Sequence, residues 1–484
     1  MSGPGTGPLD RMCRCAASPE WAGRSGRMPA VRGQNSAGRT LHGRKFETNF
    51  IPQQRNSTIA RAAVVRTEAT GDAPGRSGTE DYPLSAVPDE ARQGFWPIAL
   101  VLLGFTFFSA TMWGGGSLGA AFQFWPDLVG IILCGSAILA VYVAGLGYVG
   151  YKSGLATVLS ARFAFGDLGS RWSDALLGLT QIGWYAWGTA TVTIILVRLL
   201  DLDLSLQAPL MIVFGLVFCV TAYVGSRGLA ALSIVSVPAM LLLIAVSAGV
   251  ALRDAGGAAG LLTAGSAGGL TVAEALTIVV GTFVSGGTQV ANWTRFSGSA
   301  RAAVGSTLLA FFFGNGLMIV TGAVGATVYG LSDIVEVLAV QGLLAAGVLM
   351  LFSNIWTTQD NTIYNFSVAG CHFCRTERRR LVTFVGAAAG TLLALLGMYD
   401  WLIPYMVAMG MLIPPLGGVI MADFFVRHRG CYPALGEAVV PRFNREGIAA
   451  YAAGSLAALV IPGIPPVNGI IVAFIVYACL VRLT

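Results

Sequence analysis

A chain of 484 residues that is 55% hydrophobic and only 11% charged is too apolar for a string of soluble domains, where about 25% of residues are charged. Its net charge of +6 comes without a basic patch interleaved with aromatics, so nucleic-acid binding has no support. The charges are segregated between long apolar runs, which marks an all-α polytopic membrane protein.

The first 75 or so residues differ from the rest. Up to Arg66 they hold eleven basic and three acidic residues, with much Ser, Gly and Ala and no long apolar run. That composition suits a disordered extension or an organelle transit peptide, chloroplast before mitochondrion, or residues upstream of the true start. Residues 76–92 read as a short cytoplasmic lead-in, and residues 93–484 as the membrane domain.

About 20 apolar residues cross a bilayer as a helix. On that scale the chain predicts twelve spans, near 95–118, 127–150, 173–197, 208–224, 229–251, 272–291, 303–328, 336–367, 381–397, 401–424, 446–462 and 466–482. The first has a glycine-rich centre, Gly104-Phe-Thr-Phe-Phe-Ser109-Ala-Thr-Met-Trp113-Gly-Gly-Gly. The third carries Gln181 and Trp184, three apart and so on one helix face. An amide offers a donor and an acceptor, and an indole offers a stacking surface, a pair suited to a flat heterocycle. The sixth reads Gly281-Thr-Phe-Val-Ser285-Gly-Gly-Thr. The eighth runs from a membrane-like stretch into NIWTTQDNTIYN at residues 354–365, far more polar than a lipid-facing helix allows.

The loops after even-numbered spans carry fourteen Lys and Arg residues; those after odd-numbered spans carry two, Arg198 and Arg253. This imbalance puts both termini on the cytoplasmic (or stromal) side. The first and sixth spans lie five apart. Paired glycine-interrupted segments at matching positions point to two inverted repeats with discontinuous helices around a midplane site.

Other motifs carry less. Cys371-His372-Phe373-Cys374 has C-x-x-C spacing, but there is no second pair at metal-site spacing. Cys134, Cys219 and Cys479 lie in spans, and Cys13 and Cys15 in the tail. Gly114–Gly119 matches G-x-G-x-x-G without the strand a dinucleotide site needs. Asn56-Ser57-Thr58 is a sequon with no luminal context. The His residues are His42 in the tail and His372 and His428 in loops. No nucleophile–base pair sits at membrane depth, so an enzyme is not expected.

LGFTFFSATMWGGGSLG, GLTQIGWYAWG, TFVSGGTQVANWTRF, QGLLAAGVLMLFSNIWTTQDNTIY and IPPLGGVIMADFF stand in order from about Val87 onward. These stretches resemble the bacterial cytosine permeases of the nucleobase:cation symporter-1 family. The resemblance implies a LeuT-like fold of twelve helices with a five-plus-five inverted repeat. It implies symport of cytosine or a similar heterocycle with Na+, by a monomer with no cofactor beyond the coupling cation.

By position, the resemblance puts the base between Trp184 and Phe283, with Gln181 on its edge and Gly281, Thr282, Ser285, Phe108 and Ser109 around it. Thr282 stands where the family more often has Ser. The cation falls to carbonyls of Gly104, Phe107 and Asn354 and the hydroxyls of Thr357 and Thr358. Gln359 stands where the permeases carry Asn, and with Asp360 it is assigned to the substrate side. Asp360 is also the acid to which a proton-coupled carrier of uracil, purine or allantoin would turn. A channel or receptor is the reading from another class. The membrane is the plasma membrane or, with a transit peptide, the chloroplast inner envelope.

Overall fold

The computed structural model describes residues 81–264 and 267–483. The N-terminal extension, with Cys13, Cys15, His42 and the Asn56 sequon, lies outside the described residues.

Each of the twelve predicted segments carries helix. The first span is two pieces, Phe95–Thr106 and Ser109–Ala121, bent by 56°. Then come Phe124–Ser153, Ser170–Leu199, Leu204–Val224 and Ser226–Asp254. The sixth is broken into Val272–Gly281, Val284–Thr288 and Ala291–Thr294. The remaining spans are Ala300–Tyr329, Leu344–Cys374, Arg379–Leu395, Met398–Arg427, Arg445–Val460 and Pro465–Leu483.

Among the described residues, seven helices are long and apolar enough to cross a membrane, eight if the bent pair is one span. The sixth falls short because it is broken, and the eighth because its centre is polar. The ninth and eleventh have 17 and 16 residues.

The predicted span at 336–367 begins differently. Gly342, at φ 80°, turns the chain, so a lateral helix, Ile334–Val340, precedes the true eighth span at Leu344. A positive φ is easy for glycine and strained for other residues.

The first break is made by Phe107 (φ −80°, ψ 88°) and Phe108 (φ −137°, ψ 134°), both non-helical. The sixth breaks at Phe283 (φ −133°, ψ 8°). Helix carbonyls lose their partners at such breaks, which is tolerated at this depth only inside protein or around a cavity. The seventh span clamps the outer half of the first. A Cβ added at Gly115 would collide with the Ile319 carbonyl, and one at Gly322 with the Met112 carbonyl.

Large apolar side chains such as Val141, Leu179, Val235 and Leu396 are more than two-thirds exposed. A soluble protein rarely shows so much apolar surface; a bilayer covers it. The polar side chains at the broken centres are buried instead.

Both ends of the core are closed. On the arginine-rich face residues 81–93 form a strap. Asp81 pairs with Arg379 at 3.0 Å, both nearly buried. Arg295 donates to the carbonyls of Asp81 and Tyr82 at 2.6 and 2.7 Å. Gln93 exchanges backbone hydrogen bonds with Phe296 and Gly298. On the opposite face the lateral helix packs over the seventh and eighth spans, pinned by Glu336–Arg198 at 2.6 Å and by Gln341 to Ser247 and Tyr329.

Candidate substrate and cation site

A small enclosed cavity lies where the two breaks meet the third and eighth spans. It is lined by Phe105, Phe108, Gln181, Trp184, Thr282, Phe283, Ser285, Gly286, Thr358 and Thr362. Six of the ten expected substrate residues are among them. The lining side chains are at most 5% exposed, so this is an occluded form.

The aromatic walls meet edge-on. Phe108 stands 5.9 Å from Trp184 and 6.4 Å from Phe283, at 76° to each. Phe105 backs Phe283 at 5.1 Å, and Tyr405 from the tenth span backs Trp184 at 5.0 Å. Toward the outer face Phe108 leads to Trp187 (5.4 Å), and Trp187 stacks on Tyr399 (6.0 Å, 7°). With the walls this close, a planar ring enters only if Phe108 or Phe283 swings aside.

The polar groups are few and aimed. The Trp184 Nε1 donates to Ser285 Oγ at 2.9 Å, tying the third span to the break in the sixth. Gln181 is 1% exposed. Its Oε1 has no partner, and its Nε2 makes only a 3.5 Å contact with Thr180. A buried amide left unsatisfied is costly, so it is placed to bond something that enters. Thr282 donates to the Val279 carbonyl (2.7 Å) and to Asn315 Oδ1 (3.2 Å), which also accepts from Thr111. Its hydroxyl is therefore occupied, and only its side chain walls the cavity.

Beside the cavity is a cluster of oxygens. Thr358 Oγ1 lies 3.3 Å from the Phe105 carbonyl and 3.2 Å from those of Phe107 and Asn354. Thr357 Oγ1 bonds the carbonyls of Ser353 and Asn354 at 2.8 and 3.2 Å. The Asn354 amide oxygen accepts from Ser109 N and Oγ, both at 2.9 Å. Oxygen-only donors suit a hard cation. The structure thus brings Phe107, Asn354, Thr357 and Thr358 together, and Gly104 lies against Thr357.

Four expected substrate residues do not line the cavity. Gly281 packs its backbone against Met406, and Ser109 is turned to Asn354. Gln359 points into the third span. Its Nε2 donates to the Tyr185 carbonyl at 2.6 Å and to Thr189 at 3.1 Å. A Cβ on Gly188 would lie 2.7 Å from its Oε1, so the longer side chain fills a slot left by a glycine. Asp360 faces the fourth span near Thr221, with Asn361 on its Oδ1 at 3.1 Å. The reason is helical: at 3.6 residues per turn, residues 359 and 360 leave the face that Thr358 and Thr362 share.

Four residues were missed: Phe105, Gly286, Thr362 and Ser233. Thr362 was legible as the residue four after Thr358. Ser233, fully buried on the fifth span, has an unpartnered hydroxyl that meets the space where a Gly104 Cβ would be.

The C-x-x-C reading gains nothing. The His372 Nδ1 lies 2.6 Å from Asp174, and Arg375 donates to its Nε2 at 2.7 Å. Nε2 must therefore accept, which leaves the Nδ1 proton for Asp174. Among the described residues no group of His, Cys, Asp or Glu is placed to hold a metal.

Residues 86–481 match the model of a family described as permeases for cytosine/purines, uracil, thiamine and allantoin. The cytosine permease of Escherichia coli K12 is 37% identical over 395 residues, covering 82% of this chain and 93% of the relative. That of strain O6:H1 shares the same figures. Among solved structures, a closed, bromovinylhydantoin-bound form of Mhp1, a nucleobase-cation-symport-1 family transporter, superposes with a TM-score of 0.73 at 18% identity, over 82% of this chain and 94% of that one. A Na+-coupled sialic acid symporter gives 0.56 at 14%, over 84% and 93%.

Proposed function

Because the chain belongs to the permease family for cytosine/purines, uracil, thiamine and allantoin, an integral membrane carrier and not an enzyme, we propose that it imports cytosine by symport with Na+. The observation that carries the substrate half is the unpartnered amide oxygen of Gln181 beside the Trp184 ring in an enclosed cavity. Trp184, Phe108 and Phe283 grip the ring faces. Gln181 reads the ring edge with a donor and an acceptor, and Ser285 holds the indole in place.

The cation is held by the carbonyls of Gly104, Phe107 and Asn354 with the hydroxyls of Thr357 and Thr358. These groups lie on both the broken first span and the eighth. A bound cation draws the two together, and Thr358, which also lines the cavity, passes that to the substrate. Each ligand then favours the other by the same factor. The arginine-rich face is the cytoplasmic or stromal one, the strap closes that side, and the lateral helix closes the outside.

Equilibrium binding of radiolabelled cytosine to the purified protein tests the substrate, with uracil, adenine and allantoin as competitors. Cytosine bound and displaced only by cytosine supports the reading; tighter binding of a purine overturns it. A second reading rests on Asp360, whose Oδ2 is buried without a partner. It makes this acid the site of proton coupling, and sodium-independent uptake that follows external acidity would favour it. For the membrane, residues 1–75 fused to a fluorescent protein report whether the tail addresses a plastid or leaves the carrier in the plasma membrane.

A further inference from the structure

Between the seventh and eighth spans the chain folds down over the outer half of the first. Asp333 starts the lateral helix there and is fully buried. Its Oδ1 caps that helix by accepting from Val335 N at 2.8 Å. Its Oδ2 has no hydrogen-bond partner, and neither has the Trp113 Nε1. That indole and the Ser109 hydroxyl face the same carboxyl from the first span. The loop lies flush against that span, since a Cβ on Gly116 would collide with Ser332. Ser109 is in turn bonded to Asn354, beside the oxygen cluster.

Among the described residues no cation compensates this carboxyl. The first-span piece Ser109–Ala121 and the eighth span from Leu344 to Asn354 hold no ionisable residue. On the lateral helix Glu336 adds like charge, and Arg198 of the third span is bound to it. From the tenth span comes the Tyr399 phenol, which also feels Asp400. On the seventh span, Tyr329 is bonded to Asp254 of the fifth, which Arg253 pairs. A buried, uncompensated carboxylate is expensive, and the same group exposed by an open loop is not.

We infer that Asp333 is a proton-linked latch on the outer gate: the loop closes over the first span with this carboxyl protonated, and opening returns the ionised carboxylate to water. The inference rests on the carrier reading, since only a carrier must open and close this face. Burial pushes the Asp333 carboxyl up to about 6, above the ordinary value an open loop would restore. The closed form therefore holds more protons than the open form between those two values. Closure gains as pH falls below about 6 and loses that gain as pH rises through it. From pH 7.5 to pH 5 the closed-to-open ratio rises about tenfold.

The test is hydrogen–deuterium exchange over residues 331–342 of the full chain in lipid nanodiscs, corrected for intrinsic exchange, from pH 5 to 7.5. Wild type is expected to lose about tenfold in protection as pH rises. Asp333→Asn keeps the cap without the charge and is expected to show no such change. Trp113→Phe removes a donor that favours the carboxylate, so its midpoint moves to higher pH. An Asp333→Asn variant with the wild-type response, a wild type with none, or an unmoved midpoint in Trp113→Phe would overturn the latch. Cytosine uptake by the same proteins separates the two readings. Uptake kept in Asp333→Asn with a flattened acid response supports both. No cytosine uptake in wild type removes the cytosine reading and leaves the carrier family in place, and the exchange data still decide the latch.

Discussion

Trp184 is the side chain on which the substrate half of the account turns, and it has two jobs. Its ring supplies stacking, worth roughly 1–3 kcal/mol per base, and its Nε1 holds Ser285 at 2.9 Å. Trp184→Ala is expected to abolish measurable cytosine binding; retained affinity would remove the stacking argument. Trp184→Phe keeps a ring and drops the hydrogen bond, so affinity should fall by about tenfold, in line with one neutral hydrogen bond. Competition binding reads both. Gln359 gives a sharper contrast. Its amide satisfies the Tyr185 carbonyl between two spans, outside the cavity. Gln359→Asn is one methylene shorter and loses that hydrogen bond, which leaves a buried amide short of a partner. The variant should lose stability by about 1–3 kcal/mol, seen in thermal melts in detergent, and keep its order of preference among bases. An altered order with an unchanged melt would return Gln359 to the substrate.

The breaks in the first and sixth spans were legible because glycine and small polar residues interrupt apolar runs at matching positions. The turn that separates Ile334–Val340 from the eighth span was not, since apolar periodicity runs through it; only Gly342 marks it. The eighth span was legible as polar, but which residues face inward depends on helix phase. Thr358 and Thr362 share the inward face, and Gln359 and Asp360 sit one and two steps around it. The structure places the third-span pair at the cavity and the two threonines at the oxygen cluster beside it. Gln359 lies off the cavity, in the slot that Gly188 leaves on the third span. The pairing of broken first span and eighth span makes one expectation at this scale. Thr358→Ala removes a hydroxyl within 3.3 Å of three carbonyls. It should raise the sodium concentration for half-maximal uptake several-fold while saturating sodium restores most of the rate. Wild-type behaviour at every sodium concentration would place the ion elsewhere.

At the scale of the whole molecule the occluded core lies between two closures of different chemistry. The outer one buries a lone carboxyl. The inner one buries a paired set, with Asp81 on Arg379 at 3.0 Å and on Ser226 N at 3.2 Å. Removing one partner of a buried pair costs about 3–5 kcal/mol. Asp81→Ala should therefore loosen the strap and favour the inward-open form. A cysteine placed at Ser297, buried under the strap, should react with thiol reagents faster in that variant than without it. The strap was invisible in the sequence, where residues 76–92 read only as a lead-in; its meaning comes from arginines more than a hundred residues away.

The central claim is that a heterocycle and a sodium ion share the joint of the broken first span and the eighth. It is tested most directly by radiolabelled cytosine uptake into permease-deficient bacteria expressing residues 76–484, with sodium replaced by choline at fixed pH. Uptake is expected to collapse without sodium and not to be competed by uracil or adenine. Uptake that ignores sodium and follows external acidity would contradict the ion site and move the coupling role to Asp360.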